Sequence, residues 1–487
     1  MLKLLRFTPL SVLLFSLFSA PVMASRADGL PRGKVIERVV STSNPAQSYA
    51  LYLPSGYTPE KRYPIIYAFE PAARGPLPVN RFKDGAEKYG YIVAASNNSS
   101  NYVSPEEIKA AIVAIFDDTI KRLSIDENRV YTTGFSGGSR VASRVAIGFD
   151  GKIAGVIAVG AGFPPDLQPS GPLPFVYFSL VGNDDFNYIE MKRVKRQLDS
   201  AGVANRMEVF EGGHDWPPPL YCTRAIEWME LQAMKRGRRP KDEALIEEMI
   251  KKRLDEANAA RAAARSYEEY GVYDAMAYDF RGLSDVTEFE KKAAELKETK
   301  EVKQALKQDR DMESEQQRRV NEIVALRRRL ETSVPARLPN NEAFADATET
   351  RVLVVSDLKR KIAELTKKAR SAESSPERTL ARRVVNQVLV WWYEDSMRYI
   401  QHKRYDLAVA SLSLDAQVMP DNPRVLFRLA TAHSLNNDKK RALETLKKAV
   451  EKGFNDVAEL ESNAALAPLR QDDEYKKIVD ALGKSKT

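Results

Sequence analysis

Short apolar segments alternate with helical segments from about residue 33 to residue 237. The apolar segments are rich in β-branched residues and contain few polar interruptions, as is typical of strands covered on both faces of a parallel sheet. We predict strands at residues 35–41, 48–53, 63–69, 91–96, 130–135, 153–159, 175–181 and 207–210. The first two flank Asn44 and Pro45 and are expected to form a hairpin.

Helical spacing separates these strands. Residues 105–123, 188–201 and 223–236 carry apolar side chains at intervals of three and four, as on one face of a helix. Six internal strands with helices between them suffice for a doubly wound sheet. The pattern therefore predicts an α/β domain with a mainly parallel sheet.

The composition changes at residues 237–240, which read Gly-Arg-Arg-Pro. Beyond them, to about residue 383, glycine nearly vanishes and Lys, Arg, Glu and Ala dominate, with residues 334–339 as the main interruption. This composition is typical of long helices and carries no catalytic pattern. An all-α region is therefore expected after the α/β domain.

Residues 34 positions apart match one another in the last hundred residues. The pairs are Trp392 and Leu426, Ser396 and Ala430, Tyr399 and His433, Ala408 and Ala442, and Leu412 and Leu446. This is the period of tetratricopeptide repeats, and the segment resembles that family over about two repeats, although Asp415 stands where the family prefers a small residue. The resemblance implies packing on the preceding helices and a groove for a protein or peptide partner.

The first residues have the pattern of a secretion signal. Lys3 and Arg6 precede an apolar run at residues 7–20, and residues 22–24 read Val-Met-Ala, which suits a signal peptidase. No later stretch reaches the roughly 18 apolar residues that a membrane-spanning helix needs. We predict a signal peptide at residues 1–24, no stable membrane insertion after its cleavage, and a secreted or periplasmic protein.

Composition narrows the possible chemistry. The 487 residues include a single cysteine and three histidines, and the formal net charge is +8. One cysteine excludes an intrachain disulfide and a cysteine-rich metal site. The sequence contains no basic-aromatic motif of the kind that indicates nucleic-acid binding. Charges of both signs also interleave along apparent helices, as on ordinary solvated faces. We predict no metal, no cofactor and no nucleic-acid partner, and a packed rather than reactive Cys222.

Residues 134–138 read Gly-Phe-Ser-Gly-Gly and place Ser136 between a predicted strand and a predicted helix. Small flanking residues at this position allow the sharp turn of a nucleophile elbow, which lifts the serine hydroxyl above the edge of the sheet. Without a neighbouring base to accept its proton, a serine hydroxyl is a poor nucleophile. Ser136 is therefore the candidate nucleophile.

His214 is the candidate base, because it follows the last predicted strand in a glycine-rich turn, whereas His402 and His433 fall in the helical repeats. A carboxylate must orient its ring. Asp184 and Asp185 both follow the strand at residues 175–181, and either could serve. The chain order of serine, acid and histidine is that of α/β-hydrolases.

Residues 35–236 resemble the secreted esterase branch of the α/β-hydrolase superfamily, which includes feruloyl esterases and polyhydroxybutyrate depolymerase-like enzymes. The resemblance is carried by the segments at residues 134–139, 182–185 and 213–217. It implies a Ser-His-Asp triad and selects Asp185, three residues after a glycine, as the acid. The expected organisation is a signal peptide at 1–24, a hydrolase domain at 25–238, a charged helical region at 239–385 and tetratricopeptide-like repeats at 386–487.

The oxyanion hole is expected to depart from this family. Gly137 can give one backbone N–H, but residues 69–75 replace the family's His-Gly or Gly-Gly stretch. Pro71 has no N–H, so Ala72 or Ala73 is the candidate for the second donor. Glu70 would oppose an oxyanion unless Arg74 pairs with it or its carboxylate faces away.

Polar residues after the strand at 91–96 lie where open α/β sheets bind ligands. We expect Asn97, Asn98 and Tyr102, together with Trp216, to contact a small or polymeric ester in an open cleft. These features predict a serine carboxylic-ester hydrolase. The competing hypothesis is an exported scaffold whose hydrolase-like domain is weakly active or inactive and whose repeats bind peptides.

Overall fold

The computed structural model describes residues 29–169, 171–332 and 341–484. The predicted signal peptide and the predicted interruption at residues 334–339 lie outside the described residues. The chain divides into two compact units, which meet in sequence between Asp311 and Met312. Among the described residues, no helix combines the length and the apolar character needed to cross a membrane.

The first unit contains one eight-stranded sheet. Its strands are β1 (Val35–Val40), β2 (Ser48–Tyr52), β3 (Tyr63–Phe69), β4 (Ile92–Ser96), β5 (Ile125–Phe135), β6 (Gly155–Val159), β7 (Val176–Gly182) and β8 (Asn205–Phe210). Their order is β1-β2-β4-β3-β5-β6-β7-β8. Strand β2 is antiparallel to β1 and β4, and all the other pairs are parallel. The predicted hairpin and mainly parallel sheet are confirmed.

In the described part of the first unit, eight helices precede residue 300. They are α1 (Pro76–Tyr89), α2 (Pro105–Arg122), α3 (Gly137–Gly148), α4 (Tyr188–Ser200), α5 (Pro219–Lys235), α6 (Glu243–Ala262), α7 (Ser266–Phe280) and α8 (Thr287–Lys297). Helix α1, which begins at Pro76, is absent from the sequence-based prediction. Proline fits there because the first N–H groups of a helix have no intrahelical acceptor.

Both faces of the sheet are covered. Alternate residues of β3 pack on opposite sides, with Ile65 in the core formed with α2, α3 and α4, and Ile66 in the core formed with α1 and α5. This alternation follows from the two-residue period of a strand. Cys222 of α5 is buried in the second core, and burial raises the pKa of its thiol, as suits a packed residue.

Helices α6, α7 and α8 pack on the outer side of α5. Leu231 and Met234 of α5 share a buried cluster with Met249 of α6 and with Met276 and Phe280 of α7. The side chain of Asp242 caps α6 by accepting a hydrogen bond from the N–H of Leu245 at 3.1 Å. These helices therefore belong to the core of the first unit.

The second unit is helical in its described part. The division between units falls within α9 (Lys300–Thr332), and the later elements are α10 (Asn341–Ala369), α11 (Pro376–Gln401), α12 (Tyr405–Val418), α13 (Pro423–Leu435), α14 (Lys439–Glu451), α15 (Val457–Ser462), a 3-10 helix (Ala464–Leu469) and α16 (Asp473–Lys484). Ala408 and Ala442, which are 34 residues apart, are both fully buried. The buried Asp415 accepts a hydrogen bond from the buried Arg327. The assignment of these helices to tetratricopeptide repeats stays a prediction.

Candidate active site

Ser136 occupies a strained turn between β5 and α3. Its backbone has φ 53° and ψ −120°, a conformation that non-glycine residues rarely adopt. A Cβ added to Gly134 would lie 2.1 Å from the carbonyl oxygen of Gly138, and one added to Gly138 would lie 2.1 Å from that of Phe69. Both positions therefore need glycine, and the turn that they allow places Ser136 at the carboxyl end of β5.

His214 reaches Ser136 from the turn that follows β8. Its Nε2 atom lies 2.9 Å from the Oγ atom of Ser136. Its Nδ1 atom lies 3.0 Å from both carboxylate oxygens of Asp185, which follows β7. Since β5, β7 and β8 are parallel, the segments that follow them meet at one edge of the sheet. The structure thus brings Ser136, His214 and Asp185 into one hydrogen-bonded chain.

The local turn selects Asp185 over Asp184. The N–H of Asp185 donates to the carbonyl of Gly182 at 3.1 Å, whereas the N–H of Asp184 donates to that of Gly212 at 2.8 Å. The carboxylate of Asp185 is fully buried and also accepts a hydrogen bond from the N–H of Asn187 at 2.8 Å. Buried and fixed in this way, it can hold the imidazole ring in one orientation.

Aromatic side chains enclose the His214 ring. Phe135 and Phe186 lie with their ring centroids 4.6 and 4.2 Å from that of the imidazole. Trp216, expected to contact substrate, is only 2% exposed and packs against Phe135 and Phe82. Its indole therefore supports the turn that carries His214 and does not line an open cleft, which corrects the expectation for this residue.

The predicted substrate-binding loop at residues 97–102 divides into two parts. The amide of Asn97 donates to the carbonyl of Glu37 at 3.1 Å, and the amide oxygen of Asn98 accepts from the N–H of Ser48 at 2.8 Å. These two side chains therefore tie the loop to β1 and β2. Tyr102 is 75% exposed. Asn101, which belongs to the same polar run, lies against the turn at Gly137.

Glu70 organises the loop after β3. Its buried carboxylate accepts two bonds from the Arg74 guanidinium, at 2.5 and 3.2 Å, and Glu70 in turn raises the pKa of Arg74. The N–H of Ala72 donates to this carboxylate at 2.7 Å, and the N–H of Ala73 donates to the carbonyl of Glu70 at 3.0 Å. Both N–H groups expected to serve the oxyanion hole, those of Ala72 and Ala73, are thus bonded within the loop.

Comparison with known proteins gives one curated relative and several solved structures. The chain is 26% identical over 200 residues to feruloyl esterase D of Neurospora crassa, a match that covers 37% of this chain and 69% of that protein. The chain matches no protein-family profile. Over that segment the chain is similar to an esterase.

Two solved structures illustrate the similarity, and both are hydrolases by name. One is the S-formylglutathione hydrolase of Staphylococcus aureus, which is 17% identical, with a TM-score of 0.33, and the match covers 41% of this chain and 98% of that one. The other is a ferulic acid esterase, which is 20% identical, with a TM-score of 0.32, over 40% of this chain and 94% of that one.

Proposed function

We propose that the first unit is a serine carboxylic-ester hydrolase. The observation that carries this proposal is the continuous chain from the Oγ of Ser136 through both ring nitrogens of His214 to the buried Asp185, with donor-acceptor distances of 2.9 and 3.0 Å. This is the arrangement that lets an imidazole remove the proton of a serine hydroxyl. The esterase relative supports the same class of reaction.

In the proposed reaction, Ser136 attacks the ester carbonyl as His214 accepts its proton. The Asp185 carboxylate stabilises the imidazolium that forms, and the N–H of Gly137 donates to the developing oxyanion. His214 then protonates the leaving alcohol, and an acyl group remains on Ser136. A water molecule, activated by His214 in turn, releases the carboxylic acid and restores the serine.

The substrate class that we propose is an ester accessible from solvent, with hydroxycinnamoyl esters first among those to test. Two observations support this choice. The relative is a feruloyl esterase by name. The segment between β6 and β7, residues 160–175, is too short to fold into a cap domain over the site.

Export and peptide binding are further parts of the proposal. The pattern of residues 1–24 supports a secreted or periplasmic location. The 34-residue spacing supports tetratricopeptide-like repeats at residues 386–487, and these would offer a groove to a peptide partner. A chain with both parts would join ester hydrolysis to attachment at a particular protein.

Hydrolysis of a panel of esters by the full chain tests the proposed function. The panel contains p-nitrophenyl butyrate, methyl ferulate and a hydroxyalkanoate ester, and the matched control is Ser136→Ala. We expect hydrolysis of at least one ester and a loss of about 10³-fold or more in kcat for the variant. Equal rates for the two folded proteins would refute the proposal.

A further inference from the structure

The turn after β7 carries two residues that contact His214 and a third whose side chain has no part in the proposed reaction. Asp185 bonds to the imidazole, and Phe186 lies with its ring centroid 4.2 Å from that of the imidazole. The backbone N–H of Asn187 donates to the Asp185 carboxylate at 2.8 Å. The side-chain Nδ2 atom of Asn187 donates to the carbonyl oxygen of Gly160, also at 2.8 Å. The turn that carries the acid is thus bonded to the residue that follows β6.

Gly160 lies directly against the pair formed by His214 and Asp185. A Cβ added to Gly160 would lie 3.2 Å from the Oδ2 atom of Asp185 and 3.2 Å from the Cε1 atom of His214. The φ of Gly160 is 65°, a left-handed conformation that glycine adopts without steric cost. The backbone at this position therefore forms one wall around the imidazole and its carboxylate, and a displacement of this wall would change the space that both groups occupy.

The end of β6 is also bonded to the nucleophile turn. The N–H of Ser136 donates to the carbonyl of Val159 at 2.8 Å, and the N–H of Gly160 donates to the carbonyl of Leu180 in β7 at 2.9 Å. Strand β6 lies between β5 and β7 in the sheet. Residues 159 and 160 therefore connect the serine turn on one side with β7 and the acid turn on the other, and their position sets the space across which the imidazole meets its two partners.

We propose that Asn187 is a positioning residue of the triad, whose side-chain amide holds the acid turn against the end of β6 through Gly160, and this inference rests on the proposed function. An amide suits this role because it donates a hydrogen bond without carrying a charge. A lysine or arginine at the same place would attract the Asp185 carboxylate and compete for it with the imidazolium of His214. The bond to Gly160 also fixes which atom of the amide is the donor, since a carbonyl oxygen can only accept.

The loop beyond Gly160 has its own bonds to α3. The hydroxyl of Ser139 donates to the carbonyl of Ala161 at 2.6 Å, and the guanidinium of Arg140 donates to the carbonyl of Phe163 at 2.8 Å. Loss of the amide at position 187 should therefore leave this loop in place. The effect of that loss is expected in the alignment of the triad and not in the fold.

The test compares Asn187→Leu with wild type in the full chain. Leucine has a similar size, removes the side-chain donor and keeps the backbone N–H that bonds to Asp185. We expect kcat for p-nitrophenyl butyrate to fall about 10- to 100-fold, because displacement of a reacting group by about 1 Å has a cost of this order. KM should change by less than about threefold, since the amide has no role in binding the ester. If Asn187→Leu does not fold, Asn187→Ala replaces it.

Gln168→Leu is the matched control. The side-chain amide of Gln168 donates to the carbonyl of Pro164 at 2.8 Å, a bond of the same kind and length within the segment that follows β6. This part of the segment lies away from the triad, because Asp166 bonds to Arg144, which is about 12 Å along α3 from Ser136. Gln168→Leu should retain wild-type kcat and KM. Both variants should melt within about 5 °C of wild type, as expected for the loss of one hydrogen bond.

The rate and the final extent of labelling by a fluorophosphonate separate a misaligned triad from a partly unfolded chain. Asn187→Leu should reach one adduct per chain on Ser136, as wild type does, at a rate lowered in parallel with kcat. Three results would overturn the inference while wild-type hydrolysis remained: an unchanged kcat, a loss of kcat matched by a smaller final extent of labelling, or an equal loss of kcat in Gln168→Leu. Absence of Ser136-dependent hydrolysis in wild type would instead refute the proposed function.

Discussion

The Nδ1 atom of His214 lies 3.0 Å from each oxygen of the Asp185 carboxylate, which is fully buried. A carboxylate in this position fixes the tautomer of the imidazole, so that Nε2 is free to accept the proton of Ser136. The neighbouring Asp184 is held by a different backbone contact, from its N–H to the carbonyl of Gly212. The two aspartates should therefore respond differently to substitution.

Asp185→Asn is expected to lower kcat about 10⁴-fold, because the asparagine amide favours the wrong imidazole tautomer. Asp184→Asn makes the same chemical change one residue earlier and should cost less than about tenfold. Ester hydrolysis by the two purified variants measures the difference. A larger loss of kcat for Asp184→Asn than for Asp185→Asn would show that Asp184, and not Asp185, orients the imidazole.

The sequence could predict the sheet and the reacting residues but not their surroundings. Continuous apolar runs fix strands such as β3, and the glycines around Ser136 fix the sharp turn, because both signals are local. Asp184 and Asp185 look alike in sequence, and the choice between them depends on hydrogen bonds to Gly182 and Gly212. The family resemblance nevertheless selected Asp185.

Contacts between distant segments were beyond prediction. The side chain of Asn101, in the polar run at residues 97–102, lies against Gly137 because its loop is bonded to the loop after β3, and a contact of this kind leaves no local pattern in the sequence. Trp216, predicted to contact substrate, is buried beside Phe135. The hydrogen bond from the N–H of Ala72 to the Glu70 carboxylate likewise depends on the path that the loop takes in three dimensions.

Arg74 is expected to shield the proposed oxyanion site from the charge of Glu70. Arg74→Ala removes the guanidinium that bonds the buried carboxylate and leaves that carboxylate near the nucleophile turn. We expect kcat/KM to fall about tenfold, or about 1.4 kcal/mol in the barrier. The double variant Glu70→Gln with Arg74→Ala should recover part of the loss. Wild-type kinetics for Arg74→Ala would show that the charge of Glu70 does not affect the reaction.

Helices α6 to α8 are expected to be needed for folding of the hydrolase-like sheet. Trp228 of α5 donates from its indole to Asp279 of α7 at 2.9 Å, and Arg253 of α6 lies 3.6 Å from the buried Glu208 of β8. A chain ending at Arg239 would expose these groups and the apolar face of α5.

We therefore expect the chain ending at Arg239 to aggregate or to melt without a cooperative transition, whereas a chain ending at Thr299 should melt cooperatively. Thermal unfolding followed by circular dichroism makes the comparison. Cooperative unfolding of the shorter chain near the temperature of the longer one would show that the three helices are dispensable for the fold.

Asp415 should make the second unit less stable as the pH rises. Burial raises the pKa of Asp415 to about 6 although Arg327 opposes the shift. With this raised pKa, the folded state binds the Asp415 proton more tightly than the unfolded state does. Protonation of Asp415 therefore stabilises the folded state fully below about pH 4, and this stabilisation is lost as the pH rises through about 6. The loss amounts to about 3 kcal/mol at most.

Hydrogen–deuterium exchange of α12 at pH 4 and pH 7, in wild type and in Asp415→Asn, measures this contribution. The variant cannot ionise at this position. Between pH 4 and pH 7, the opening free energy of α12 should therefore fall more in wild type than in Asp415→Asn. An identical pH dependence in both proteins would mean that Asp415 does not titrate in this range.

Reaction with a fluorophosphonate probe tests the central claim most directly, because such a probe forms a stable bond only with a serine that a neighbouring base has activated. The intact mass of the folded wild-type chain should rise by one adduct, and peptide mapping should place the adduct on Ser136. Ser136→Ala should remain unmodified under the same conditions. A folded wild-type chain that gains no adduct, or an equal adduct on Ser136→Ala, would contradict the account.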